Sequence, residues 1–192
     1  MPIIDQTDGV GLMKTVSKLF AVAVSVLASS MVFAEPSELK VQEEAFGDWK
    51  VACREAKSGE TKKSVKLCRA YTTASQKKTG KMLFRMVLSY PNGSAIPRAV
   101  ITTPLGVALM PGVELEVSGV KYNYRYLNCG ARGCNVAFKV DETMLKALKQ
   151  GTKASIKFAL LGREKPQGVV VPLSLKGFTK SAFSLYDKRP KS

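Results

Sequence analysis

The sequence contains no histidine in its 192 residues. That absence removes Ser–His–Asp and Cys–His catalysis, histidine-ligated zinc and the side chain that ordinarily titrates near neutral pH. Acidic residues are scarce as well: 15 Asp and Glu stand against 30 Lys and Arg, for a formal charge of +15. Glycine-rich phosphate loops, calcium-loop spacing and nucleophile-elbow patterns are missing. The nearest approach to a carboxylate pair is Glu114 and Glu116, two apart in a strand pattern, which a solvated charged face explains. The sequence shows no internal repeat, no low-complexity tract and no second domain boundary. Together these absences point to a non-enzymatic protein that needs no cofactor or metal.

Long apolar runs are confined to one place. Lys14 and Lys18 precede the run from Leu19 to Leu27, which continues through Ala28-Ser29-Ser30-Met31-Val32-Phe33-Ala34. Small residues at Val32 and Ala34 predict an export signal over residues 1–34, cut between Ala34 and Glu35. Met13-Lys14 reads as a natural start, which would make residues 1–12 an over-long one. The run is too short and too serine-rich for a membrane span, so no integral membrane segment is expected after processing. No cysteine lies near the cut, which argues against a lipid anchor. Residues 35–192 are then expected to form a single domain, long enough to bury roughly 70% of its unfolded surface. Asp5, Asp8, Lys14 and Lys18 cancel, so the processed chain keeps the whole +15.

That charge predicts attraction to polyanions: lipopolysaccharide phosphates, anionic lipid, glycosaminoglycans or sialic-acid-rich host surfaces. Nucleic acid is not expected as a partner in an exported compartment. Two lysine clusters, Lys57/Lys62/Lys63/Lys66 and Lys77/Lys78/Lys81, fall in successive loops and are the candidate polyanion-binding residues. Scattered, solvated lysine is the alternative reading. The sequence carries no signal for oligomeric state.

Four cysteines in an exported chain read as two disulfides, for which three connectivities exist. Cys53–Cys68 would join neighbouring strands across a lysine-rich loop, and Cys129–Cys134 would staple the turn Gly130-Ala131-Arg132-Gly133. Loop-closure entropy makes the first worth roughly 3 kcal/mol and the second roughly 2. A four-cysteine zinc site is disfavoured, because neither spacing matches a close-paired zinc knuckle and an oxidising compartment removes thiolates.

The elements follow from periodicity. Phe46 to Arg54 reads as the first core strand, with the only tryptophan, Trp49, on the same side as Val51 and Cys53. Glu35 to Ala45 before it reads as a loose acidic lead-in. Val65–Thr73, Lys81–Tyr90, Arg98–Thr103, Val113–Val117, Lys121–Asn128 and Cys134–Val140 alternate as strands, and Val107–Met110 is a further short candidate. Tyr122, Tyr124 and Tyr126 share one face, which reads as packing. Asp141 is placed to cap a helix to Gln150 with Gly151 as its stop, and Ser174 to cap a second carrying Phe178, Ala182 and Leu185. Ala154–Leu161 and Val169–Leu175 read as a hairpin between them. Eight or nine short strands with two short helices predict a mainly β fold, an antiparallel β-sandwich.

Several stretches carry a family resemblance. Phe46-Gly47-Asp48-Trp49 with Cys53, then Cys68, then Cys129-Gly130-Ala131-Arg132-Gly133-Cys134, then Leu148-Lys149-Gln150-Gly151, then Pro172-Leu173-Ser174-Leu175-Lys176-Gly177-Phe178-Thr179 resemble the invasion-associated locus B (IalB) family. The likeness runs in order over nearly all of residues 35–192, and Ser174–Phe178 is its most specific piece. The resemblance implies an exported bacterial envelope protein with an immunoglobulin-like β-sandwich. For members from blood-borne pathogens it implies a part in entry into host red cells. It brings no catalytic residues. With the export signal and the +15 charge, it leads to a function in host-cell invasion through contact with an anionic surface, in the periplasm or outside the cell. The alternative is a periplasmic structural or chaperone-like module that binds envelope components.

Overall fold

The computed structural model describes residues 41–57, 64–91 and 94–190. The expected export signal and the expected cut between Ala34 and Glu35 lie outside the described residues. In chain order the elements are β1 (Gln42–Phe46), β2 (Trp49–Lys57), β3 (Ser64–Ser75), β4 (Met82–Ser89), β5 (Arg98–Thr103), β6 (Val113–Val117), β7 (Val120–Tyr124), β8 (Asn128–Gly130), β9 (Gly133–Lys139), α1 (Glu142–Gln150), β10 (Ala154–Leu160), β11 (Gln167–Pro172) and α2 (Phe178–Asp187). Seven strands form one antiparallel sheet in the order β1-β2-β3-β4-β5-β9-β8, and four form another in the order β11-β10-β6-β7. This is the antiparallel β-sandwich that the alternation and the resemblance predicted.

Period-two patterning builds the core directly. Trp49, Val51, Ala70, Phe84, Met86, Leu88, Ile101 and Val136 point inward from the large sheet. Val113, Leu115, Val117, Ile156 and Phe158 meet them from the small one. Four strands cannot cover the inner face of seven, so α2 packs against β1, β2 and β3. It buries Phe178, Ala182 and Leu185 there. Asp141 caps α1 as predicted, its carboxylate accepting from the Met144 N–H at 2.8 Å.

The two ends of the family resemblance meet. The Trp49 indole N–H donates to the Ser174 carbonyl at 2.8 Å, and the ring stands edge-on to Phe178 with centroids 4.9 Å apart. The Asp48 N–H donates to the Lys176 carbonyl at 3.1 Å, and the Ser174 hydroxyl donates to the Asp48 carboxylate at 2.6 Å. Gly177, at φ +88°, passes so close that an added Cβ would lie 1.7 Å from the Phe46 carbonyl oxygen. Both the positive φ and the approach demand glycine.

Three local readings change. Within the acidic lead-in, residues 35–40 lie outside the described residues, and Gln42–Ala45 belongs to the edge strand β1, paired from Gln42 opposite Cys53 to Phe46 opposite Trp49. Its sequence lacks an apolar alternation because backbone pairing, and not burial, holds it. Ser174 does not cap α2; Gly177 occupies that position, since the Ser174 hydroxyl is committed to Asp48. Val107–Met110 contributes one isolated bridge, Val107 to Leu160, in place of a strand. The expected eight or nine strands become eleven by adding β1 and the three-residue β8.

Gly177→Ala is expected to lower stability by about 3 kcal/mol or more, because it combines a disfavoured φ with a backbone collision. Urea unfolding checks this; an unchanged midpoint would show that the two ends of the domain are not tightly joined.

Candidate functional site

Both chosen disulfides form, and no described cysteine is free. Cys53 and Cys68 are direct partners in the β2–β3 register, with Cα atoms 4.1 Å apart. Cys129 and Cys134 are partners between β8 and β9, 3.9 Å apart. The second bridge fastens the short edge strand β8, which three residues of pairing would hold poorly.

The lysine clusters are not brought together. Lys57 ends β2 and Lys66 lies near the start of β3, while Lys77, Lys78 and Lys81 sit in the turn before β4. Lys62 and Lys63 lie outside the described residues. Successive turns of an antiparallel meander alternate ends, and β3 separates these two by about 40 Å at 3.4 Å per residue. The described lysines of each cluster are exposed.

A different set of cations converges. The outer face of the large sheet carries Lys50 and Arg54 on β2, Arg69 on β3, Arg85 on β4, Arg98 on β5 and Lys139 on β9. Glu43 on β1 is the carboxylate on that face. Lys50 holds it at 2.7 Å and the Tyr71 hydroxyl donates to it. The hydrogen bonds from Lys50 and then Tyr71 lower its pKa, and Glu43 in turn raises that of Tyr71. The Arg85 guanidinium lies over the Tyr71 ring, 4.2 Å from its centroid. The ion pairs of the described residues are Lys50–Glu43, Lys121–Glu114 and Lys188–Glu44, so Arg54, Arg69, Arg85, Arg98 and Lys139 have no carboxylate partner among them. A cleft of about 260 Å³ adjoins this face, and its charged lining residues are Arg54 and Arg69. Guanidinium and ammonium groups in such an arrangement are of the chemistry that pairs with oxyanions. Each of these cations is merely the polar member of an alternating strand, so no local run in the sequence marks them.

Among the described residues no group of three or more Cys, Asp or Glu side chains could hold a metal ion. No described helix is long and apolar enough to cross a membrane. The tyrosine row packs inward: Tyr124 stacks on Phe138 with centroids 3.9 Å apart, and Tyr126 shares a 3.0 Å hydrogen bond with Thr103.

The sequence model described as "Invasion associated locus B (IalB) protein" matches residues 49–185. The chain belongs to the IalB family. A crystal structure of invasion associated protein b from Bartonella henselae shares the fold, with a TM-score of 0.64 at 18% identity, covering 76% of this chain and 95% of that one. No curated protein matches. The family match opens at Trp49 and closes at Leu185, so it begins on the tryptophan that α2 covers and ends inside α2. The IalB motifs at Phe46–Trp49 and Ser174–Phe178 therefore hold the sandwich together, and neither supplies a cation of the outer face.

Burial pushes the Tyr124 hydroxyl up from 10.0 to about 12. A raised folded pKa means that the unfolded chain loses this proton first. The contribution is thus whole below pH 10 and disappears as pH rises toward about 12. Ultraviolet titration should show a late phenolate that Tyr124→Phe removes; a Tyr124→Phe curve with the late phase intact would refute the assignment.

Proposed function

We propose that this protein is an exported, non-enzymatic envelope protein that promotes host-cell invasion, of red cells in particular, by electrostatic contact with an anionic surface. The observation that carries the reading is the outer sheet face, where Arg54, Arg69, Arg85, Arg98 and Lys139 stand without carboxylate partners among the described residues. The net charge of +15 supports it, since an unbalanced cationic surface draws polyanions and speeds encounter. Export is supported by the leader-like sequence pattern of residues 1–34 and by two disulfides, which persist in oxidising compartments. Invasion is supported by membership of the IalB family and by the fold shared with invasion associated protein b of Bartonella henselae. The absence of histidine from the whole sequence favours a binding role over catalysis.

Binding of the disulfide-bonded protein to intact red cells should fall about tenfold or more between about 0.1 M and 1 M salt, as the screening length shrinks from about 10 Å to about 3 Å. Binding that is unchanged across that range would overturn the electrostatic mechanism.

A second reading rests on another surface. Leu105, Leu109, Met110 and Leu161 are exposed on connections beside the small sheet, Met110 to 95%. The Leu161 N–H donates to the Gly106 carbonyl at 2.8 Å and holds two of these loops together. An apolar patch of this kind suits a periplasmic module that binds envelope components. Protease treatment of intact cells, with a known periplasmic protein as leakage control, separates the two. Digestion is expected if the protein meets host surfaces directly; full protection would favour the periplasmic module.

A further inference from the structure

The two outer faces of the sandwich treat charge in opposite ways. On the small sheet Glu114 is opposite Lys157 and Glu116 is opposite Lys121, so directly facing residues carry opposite charge. Lys121 also reaches Glu114 at 3.5 Å. On the large sheet the register Glu43–Ala52–Arg69–Ser89–Arg98–Lys139 crosses six strands in one row. There Arg98 faces Lys139 directly, and both are exposed. Like charges opposed across antiparallel strands repel and destabilise the pair. A folded domain that balances one face and leaves this repulsion on the other has a cationic row ready for an anion.

Resting on the reading of an anionic contact, we infer that this row binds a linear anionic polysaccharide laid across the strands, through its sulfate or carboxylate groups. The spacing fits a chain with charges at regular intervals. Arg69 and Arg98 stand two strands apart, about 10 Å, and Lys139 is about 5 Å further on. Between Arg69 and Arg98 the floor is low: Ser89 separates them in the row itself, and beyond Tyr71 the next row continues with Val87, Val100 and Ala137. Sugar rings can therefore approach the sheet while the guanidinium groups reach their acidic substituents. Arginine dominates the face, and its planar fork holds a sulfate or carboxylate by paired hydrogen bonds. Arg85, two rows away, keeps its guanidinium over the Tyr71 ring and has no carboxylate partner among the described residues. Its buried Nε–H has no hydrogen-bond partner among the described residues.

A bilayer fits this face less well. None of the strongly exposed large apolar side chains stands on a strand of the large sheet. The face thus presents no prominent apolar side chain on its strands for the acyl layer, and peripheral membrane binding gains strength from such insertion.

The test compares the disulfide-bonded wild type with two triple variants that remove equal charge. Arg69→Ala/Arg98→Ala/Lys139→Ala empties the row, and Lys77→Ala/Lys78→Ala/Lys81→Ala empties a turn. The probes are heparin, hyaluronan and vesicles of phosphatidylglycerol mixed equally with phosphatidylcholine. Wild type is expected to bind heparin most strongly and hyaluronan next. The row variant should lose about tenfold or more in heparin affinity, having lost three charge-assisted contacts, and the turn variant about twofold at most. Arg69→Lys/Arg98→Lys keeps the net charge and guards against a folding artefact; a loss of a few fold is expected, because lysine cannot pair bidentately. Equal losses in the two triple variants would overturn the row as the site while leaving the anionic contact standing. Vesicle binding as strong as heparin binding, with the same sensitivity to the row, would overturn the polysaccharide in favour of a membrane. No salt-dependent binding to any probe or to red cells would overturn both readings.

Discussion

The structure depends on what happens to the Trp49 indole. A tryptophan sealed from solvent must place its N–H on an acceptor, and the inner face of a sheet whose own backbone is already paired offers none. The Ser174 carbonyl, 125 residues further along the chain, supplies it at 2.8 Å. Once that bond forms, Phe178 is set against the ring and α2 is directed over β1, β2 and β3. The Asp48–Lys176 and Ser174–Asp48 hydrogen bonds tighten the same junction, and Gly177 leaves room for it. One polar atom in the first core strand thereby decides where the last helix lies.

That closure has a consequence for the surface. With the inner face of the large sheet shared between the small sheet and α2, no described helix packs on its outer face. That face is free to collect charge, and the strand register decides which residues meet. Arg69, Arg98 and Lys139 come from three strands that are distant in sequence, yet fall in one row. The paired charges on the small sheet show that the same fold also tolerates a balanced surface. The asymmetry between the two faces is therefore a property of this sequence and not a requirement of the sandwich.

Much of the fold was legible because its signals are local. Alternation of Phe84, Met86 and Leu88, and of Val113, Leu115 and Val117, identifies strands without knowledge of their partners. Asp141 and Gly151 bracket α1 by chemistry confined to one turn at each end. The disulfides were legible because each pair closes a short loop between adjacent strands. β1 was not, because Gln42-Glu43-Glu44-Ala45 has no apolar face and is held by backbone bonds to β2 and by salt links from Lys50 and Lys188. The cation row was hidden for a related reason. Sequence reading gathers charges that are neighbours in the chain, so it gathered Lys57 with Lys66 and Lys77 with Lys81, which β3 holds at opposite ends.

By itself the sequence determined the chemistry that is excluded, the β class, the cysteine pairing, the total charge and the family. Each of these follows from composition, from period-two patterning or from motifs read within a few residues. Only the tertiary structure decided which positive charges share a face and how the Phe46–Trp49 and Ser174–Phe178 motifs meet. Those outcomes depend on strand register and on a hydrogen bond between distant residues. Backbone pairing fixes the first and a side-chain to backbone bond the second, and neither partner is contained in the one-dimensional order of side chains.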